Sequence, residues 1–122
     1  MPEKHDPSKA AAVISSGEVV VVYTTFPSFE TARAAARRIV EQRLAACVNI
    51  VPGTVAVYAW EGALHEDQEV VAVFKTRRSL WAAVVHAVCE GHPYENPAAL
   101  VLEVSGGSPG YIDWLLSSTE ET

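Results

Sequence analysis

Apolar residues first crowd together between Glu18 and Thr25, where EVVVVYTT places β-branched and aromatic side chains at consecutive positions. A strand that is apolar on both faces belongs inside a sheet that is covered on at least one side. Phe26-Pro27 closes it. From Ser28 the period changes. Phe29, Ala32, Ala36, Ile39 and Val40 recur at three- and four-residue spacing, which predicts a helix capped by Ser28, with Glu30 in its first turn and its end near Arg43. Arg33, Arg37 and Arg38 cluster on this helix and are expected to form a solvated face.

The segment Ala45–Glu61, AACVNIVPGTVAVYAWE, is strand-like and long, with Pro52-Gly53 as its one interruption. Proline cannot donate to a ladder and glycine permits unusual dihedrals, so the pair predicts a bulge in one bent strand. A polar turn is expected from Glu61-Gly62 to about Asp67, and Gln68–Thr76 returns antiparallel. This hairpin is longer than a small sheet needs. Its surplus edges call for cover, commonly from another chain. Ser79 is the expected cap of a second helix that carries Leu80, Val84, Ala87 and Val88 and stops at Gly91. Ala98–Val104 supplies a fourth strand, and Tyr111–Ser118 a short final helix resting on Ile112 and Leu115.

The order βαββαβ with a terminal helix predicts an α+β, ferredoxin-like sandwich with one antiparallel sheet and helices on one face. Valines on both faces of the strands leave the other face needing an interface, so a homo-oligomer is expected. Residues 1–17, with Pro2, Pro7 and scattered charge, are expected to be a flexible arm, and 18–122 a single domain.

At 122 residues and 49% hydrophobic content the chain can bury a core without disulfide staples. No apolar run approaches the ~20 residues of a membrane span, and MPEKHDPSKAAA lacks the apolar centre of a signal peptide. A cytoplasmic protein with no membrane partner is expected, its two cysteines, Cys47 and Cys89, free. A net charge of −6 argues against nucleic acid as a partner.

No GxSxG, P-loop, GxGxxG or HExxH motif is present, so the familiar local signatures of catalysis are absent. Cys89-x-x-His92 has the spacing of half a zinc site but no second half. Polar groups that could converge are Glu61, Asp67, Glu69, Lys75, His92, Tyr94 and Glu95. Lys75 ends an apolar row, either extending its ammonium past a sheet edge or pairing with a Glu or Tyr in a pocket. Cys47 reads as a small buried hydrophobe, and Tyr58 and Trp60 as interface aromatics sharing one strand face. In GHPYENPAAL, Pro93 and Pro97 restrict the backbone and hold His92, Tyr94 and Glu95 in a fixed relation.

Five blocks in order, LAACVNIVPG at 44–53, VYAWEG at 57–62, EVVAVFKT at 69–76, HPYENP at 92–97 and YIDWL at 111–115, resemble the CutA divalent-cation tolerance proteins. The resemblance implies a ferredoxin-like homotrimer of PII-like architecture, non-enzymatic, with no obligatory cofactor and with copper or another divalent cation as its bound ion. By motif it implies Cys47, His92 and Glu95 as metal ligands, and Trp60, Glu61, Lys75 and Tyr94 as residues of a cleft between subunits. The alternative it leaves open is a PII-like sensor that takes a small molecule in that cleft. The chain departs from the family pattern at Ala98-Ala99, where an acidic residue often stands, and at Thr24 and around Ala87, where some members carry cysteine.

Overall fold

The computed structural model describes residues 14–15 and 17–119; most of the arm expected at 1–17, and residues 120–122, lie outside the described residues. Strand β1 (Ile14–Ser15) pairs by its backbone with β6 (Gly106–Gly107) as a two-stranded ladder. Between them run β2 (Val19–Phe26), α1 (Phe29–Glu41), β3 (Cys47–Trp60), β4 (Ala63–Arg77), α2 (Trp81–Cys89) and β5 (Ala99–Glu103), and α3 (Pro109–Ser117) follows β6. The main sheet is antiparallel with order β3-β4-β2-β5, the ferredoxin-like arrangement.

The core lies between this sheet and the pair α1/α2. Val22, Phe26, Val70, Ala72 and Phe74 alternate onto the helix side and meet Ala32, Ala35, Ile39, Val84 and Val88. The buried stripe of α1 includes Ala35, while Phe29 and Val40, expected on it, are 48% and 36% exposed. Ser28 caps α1 as expected, its hydroxyl accepting from the Thr31 N–H at 3.2 Å. Ser79 does not cap α2. It sits inside a 3₁₀ turn, Arg78–Leu80, because the chain leaves β4 directly into that turn. Helix α3 starts two residues earlier than expected, with Pro109 in its first turn, where a missing N–H costs nothing.

β3 is a single bent strand. Its register shifts between Val51 and Thr54, at the expected Pro52-Gly53 bulge, with Gly53 at φ 84°. The hairpin turn is shorter than expected. Glu61 and Gly62 have φ of 49° and 79°, the paired left-handed conformations of a two-residue turn that matches strand twist. Ala63–Asp67, expected as loop, are therefore strand, paired with Trp60 through Ala56. Their polarity misleads because this end of the hairpin projects beyond the core.

The sheet side opposite α1 and α2 carries cross-strand rows. One runs Leu102, Val21, Lys75, Cys47, the next Leu100, Tyr23, Val73, Asn49. Helix α3 covers one end, packing Ile112 and Leu115 against Val19. Arg43 and Arg77 hold that helix by its last carbonyls, Arg43 donating to Ser117 O at 3.0 Å and Arg77 to Leu116 O. Beyond α3, Leu100, Leu102 and Val51 are 59%, 50% and 48% exposed.

Among the described residues, one buried side-chain polar group has no hydrogen-bond partner. Thr24 is fully buried between Ala72 and Ala99, and its Oγ1 makes no hydrogen bond. An unsatisfied buried hydroxyl is destabilising, whereas an isosteric methyl is not. Thr24→Val is expected to stabilise the fold by about 1 kcal/mol. A urea midpoint that stays put or falls, at fixed protein concentration, would contradict this.

Candidate functional site

The connector between α2 and β5 builds the site. Gly91, at φ 74°, takes the left-handed conformation that ends α2 and turns His92 back toward the sheet. The imidazole stacks on Phe26 with centroids 4.4 Å apart. Its Nδ1 accepts the Tyr94 N–H at 3.0 Å, and its Nε2 lies 2.9 Å from Thr25 O. Two residues on, the Tyr94 hydroxyl donates to Glu69 Oε2 at 2.8 Å. Glu69 stands on β4 opposite Thr54, the first paired residue after the bulge. Thus the end of β2, the connector and the base of the hairpin are tied together.

A second phenol–carboxylate pair lies further along the hairpin. By the strand period, His65, Asp67 and Glu69 share a face with their β3 partners Tyr58, Ala56 and Thr54. The Tyr58 hydroxyl donates to Asp67, and its ring stacks on His65 at 5.3 Å. The Asp67 carboxylate pushes the Tyr58 phenol up, first through that hydrogen bond. Tyr94 is pushed up to about 12, by burial first and then by the bond to Glu69. A phenol raised above its unfolded value of 10 favours the fold in its protonated form. Its contribution is whole below pH 10 and is lost as pH climbs to about 12. Tyr94→Phe is expected to flatten the fall in stability over that alkaline window; an unchanged slope in pH-dependent urea midpoints would refute the assignment.

Lys75 does not end at a sheet edge. It lies on β4, an interior strand, and its Nζ is 3.2 Å from the Tyr111 hydroxyl and 5.2 Å from the centre of that ring. Of the two readings open in the sequence, this is the pairing with a tyrosine. Cys47 sits directly across the ladder from Lys75 and is half-buried, not fully buried, in the single chain.

Within one chain the three residues implied as metal ligands do not meet. Cys47 is level with Lys75, and the connector with Glu69, six residues along β4, or roughly 20 Å. Glu95 is exposed beside Tyr94. Among the described residues no group of three or more His, Cys, Asp or Glu side chains could hold a metal ion. Trp60 and Glu61 are at the hairpin tip, Trp60 63% exposed, away from His92. Tyr94 and His92 therefore come together with Glu69, and Lys75 with Cys47 and Tyr111, in two separate places. Sequence reasoning counted His65 only as one possible metal donor and did not place it beside Tyr58, nor did it single out Tyr111 as the partner of Lys75. The period-two alternation of a strand begun at Ala63 would have found the first.

The family profile of the CutA1 divalent ion tolerance protein matches residues 20–118. The chain belongs to the CutA1 family. It is 44% identical over 100 residues to the chloroplastic protein CutA of Arabidopsis thaliana, covering 82% of this chain and 55% of that one. To the divalent-cation tolerance protein CutA of Thermus thermophilus it is 43% identical, over 81% of this chain and 96% of that one. The chain thus spans little more than half the length of its plant relatives and nearly all of the bacterial one. Among solved structures, CutA1 of Oryza sativa superposes with a TM-score of 0.83 at 42% identity, over 86% of this chain and 96% of that one. CutA of Synechococcus elongatus does so with 0.86 at 33% identity, over 92% and 99%. The ferredoxin-like fold inferred from element order is the fold of these CutA1 structures.

Proposed function

We propose that the chain is a non-enzymatic cytoplasmic protein of divalent-cation tolerance that works as a homotrimer and binds copper or another divalent cation weakly and transiently. Membership of a family named for divalent ion tolerance carries the functional half of this reading. The open apolar face, with Leu100, Leu102 and Val51 half-exposed, supports the assembly. No described helix is long and apolar enough to cross a membrane. Since Cys47 and the connector lie far apart in one chain, an ion shared between them would have to be held by different subunits. The Cys47 thiolate is a soft donor that suits copper and zinc better than calcium.

The test is calorimetric titration of the purified protein with Cu²⁺ and Zn²⁺, Ca²⁺ serving as the control. Saturable uptake of Cu²⁺ or Zn²⁺, weakened in Cys47→Ser, is the expected result. No saturable binding up to about 1 mM, a free energy under roughly 4 kcal/mol, would sink the reading.

A further inference from the structure

Family motif alone would make His92 a metal ligand, but its hydrogen bonds leave it no lone pair to give. A backbone N–H can only donate, so Nδ1, which receives the Tyr94 N–H at 3.0 Å, is unprotonated. A carbonyl oxygen can only accept, so the nitrogen 2.9 Å from Thr25 O carries the proton. Both requirements are met by one species, the neutral imidazole protonated at Nε2. A metal needs an imidazole lone pair. Binding at Nδ1 would evict the Tyr94 N–H, and binding at Nε2 would require a deprotonated ring facing a carbonyl oxygen. The stacking on Phe26, which is 1% exposed, further fixes the ring plane.

We infer that His92 is a positioning residue, held neutral between Thr25 and Tyr94 so that it carries the Tyr94 hydroxyl onto Glu69, and that it is not a cation ligand. Three elements are joined through it: the end of β2 by the Thr25 carbonyl, the connector by the Tyr94 amide, and the hairpin base by Glu69. Its effect on a cation is indirect, through the placement of the hairpin and the connector. The second half of this inference rests on the cation-handling reading above; the first half does not.

The experiment is long-range ¹H–¹⁵N spectroscopy of the imidazoles in the full-length protein, without metal and then with Zn²⁺. The expected metal-free result is a His92 ring in the Nε2-protonated tautomer, and addition of Zn²⁺ is expected to leave both of its nitrogen shifts in place while signals elsewhere move. An Nδ1-protonated or averaging ring, or a His92 nitrogen that shifts on Zn²⁺ addition, overturns the inference. Should Zn²⁺ move no signal at all, the cation reading fails, and the metal-free tautomer still decides the positioning role. A variant gives the second measurement. In His92→Ala the Tyr94 amide, deprived of its acceptor, is expected to exchange its hydrogen at least about tenfold faster, with recovery in His92→Gln, whose amide can both accept and donate. Unchanged Tyr94 exchange in His92→Ala overturns the positioning role.

Discussion

Replacing Leu102 with aspartate is expected to separate the proposed trimer into single chains. Leu102 lies on edge strand β5, on the sheet side away from α1 and α2, and half of it is exposed in the single chain. Burying a leucine side chain fully contributes about 1.5–3 kcal/mol, so half of that remains to be gained in an interface. Aspartate removes this gain and adds a carboxylate whose desolvation costs several kcal/mol unless it is paired. In a symmetric trimer the change is repeated in every subunit, which multiplies the effect. Light scattering over a range of concentrations checks it. The unsubstituted protein should be trimeric with a melting temperature that rises with concentration, and the variant monomeric with one that does not. Arg33→Asp, on the exposed face of α1, serves as the control and should leave the assembly intact. A variant that stays trimeric, or a parent protein that is already monomeric, removes the basis for the assembly.

That open face was legible in the sequence, because EVVVVYTT has no polar side to turn toward water. The bulge at Pro52-Gly53 was legible for an equally local reason, a missing donor beside a permissive backbone. Failures arose where the deciding partner was remote or the rule was indirect. Glu61-Gly62 lacks the Asn or Asp that usually announces a two-residue turn, and Glu61 adopts its left-handed φ all the same. Lys75 could be assigned to an interior strand only once the order β3-β4-β2-β5 was known. In the candidate site the two prolines of HPYENP showed that the connector is stiff. What it is stiff against, Thr25 and Glu69, comes from residues 67 and 25 positions away in the chain. Motif spacing could therefore nominate His92 as a ligand, but not reveal that both of its nitrogens are already engaged.

Phe26→Ala is the substitution expected to cost the single chain most. The Phe26 ring is 1% exposed, ends β2 on the helix side of the sheet, and carries the His92 imidazole at 4.4 Å. Truncating a buried phenylalanine costs about 3–5 kcal/mol, because the lost transfer energy is joined by a cavity that the surroundings fill only in part. Collapse is restricted here, since β2 is paired on both sides, with β4 and β5. The loss is a large fraction of a typical domain stability of about 5–15 kcal/mol. Phe29, three residues further on, supplies the contrast. It sits at the start of α1 and is 48% exposed, so Phe29→Ala should stay within about 1 kcal/mol of the parent. Urea unfolding at one protein concentration measures both, and a shift in midpoint without a change in slope identifies a change in stability. Similar losses for the two would show that the ring of Phe26 is not the keystone of the core. A large loss at Phe26 alone, accompanied by faster exchange of the Tyr94 amide, would show that the same ring supports both the core and the imidazole that positions Tyr94.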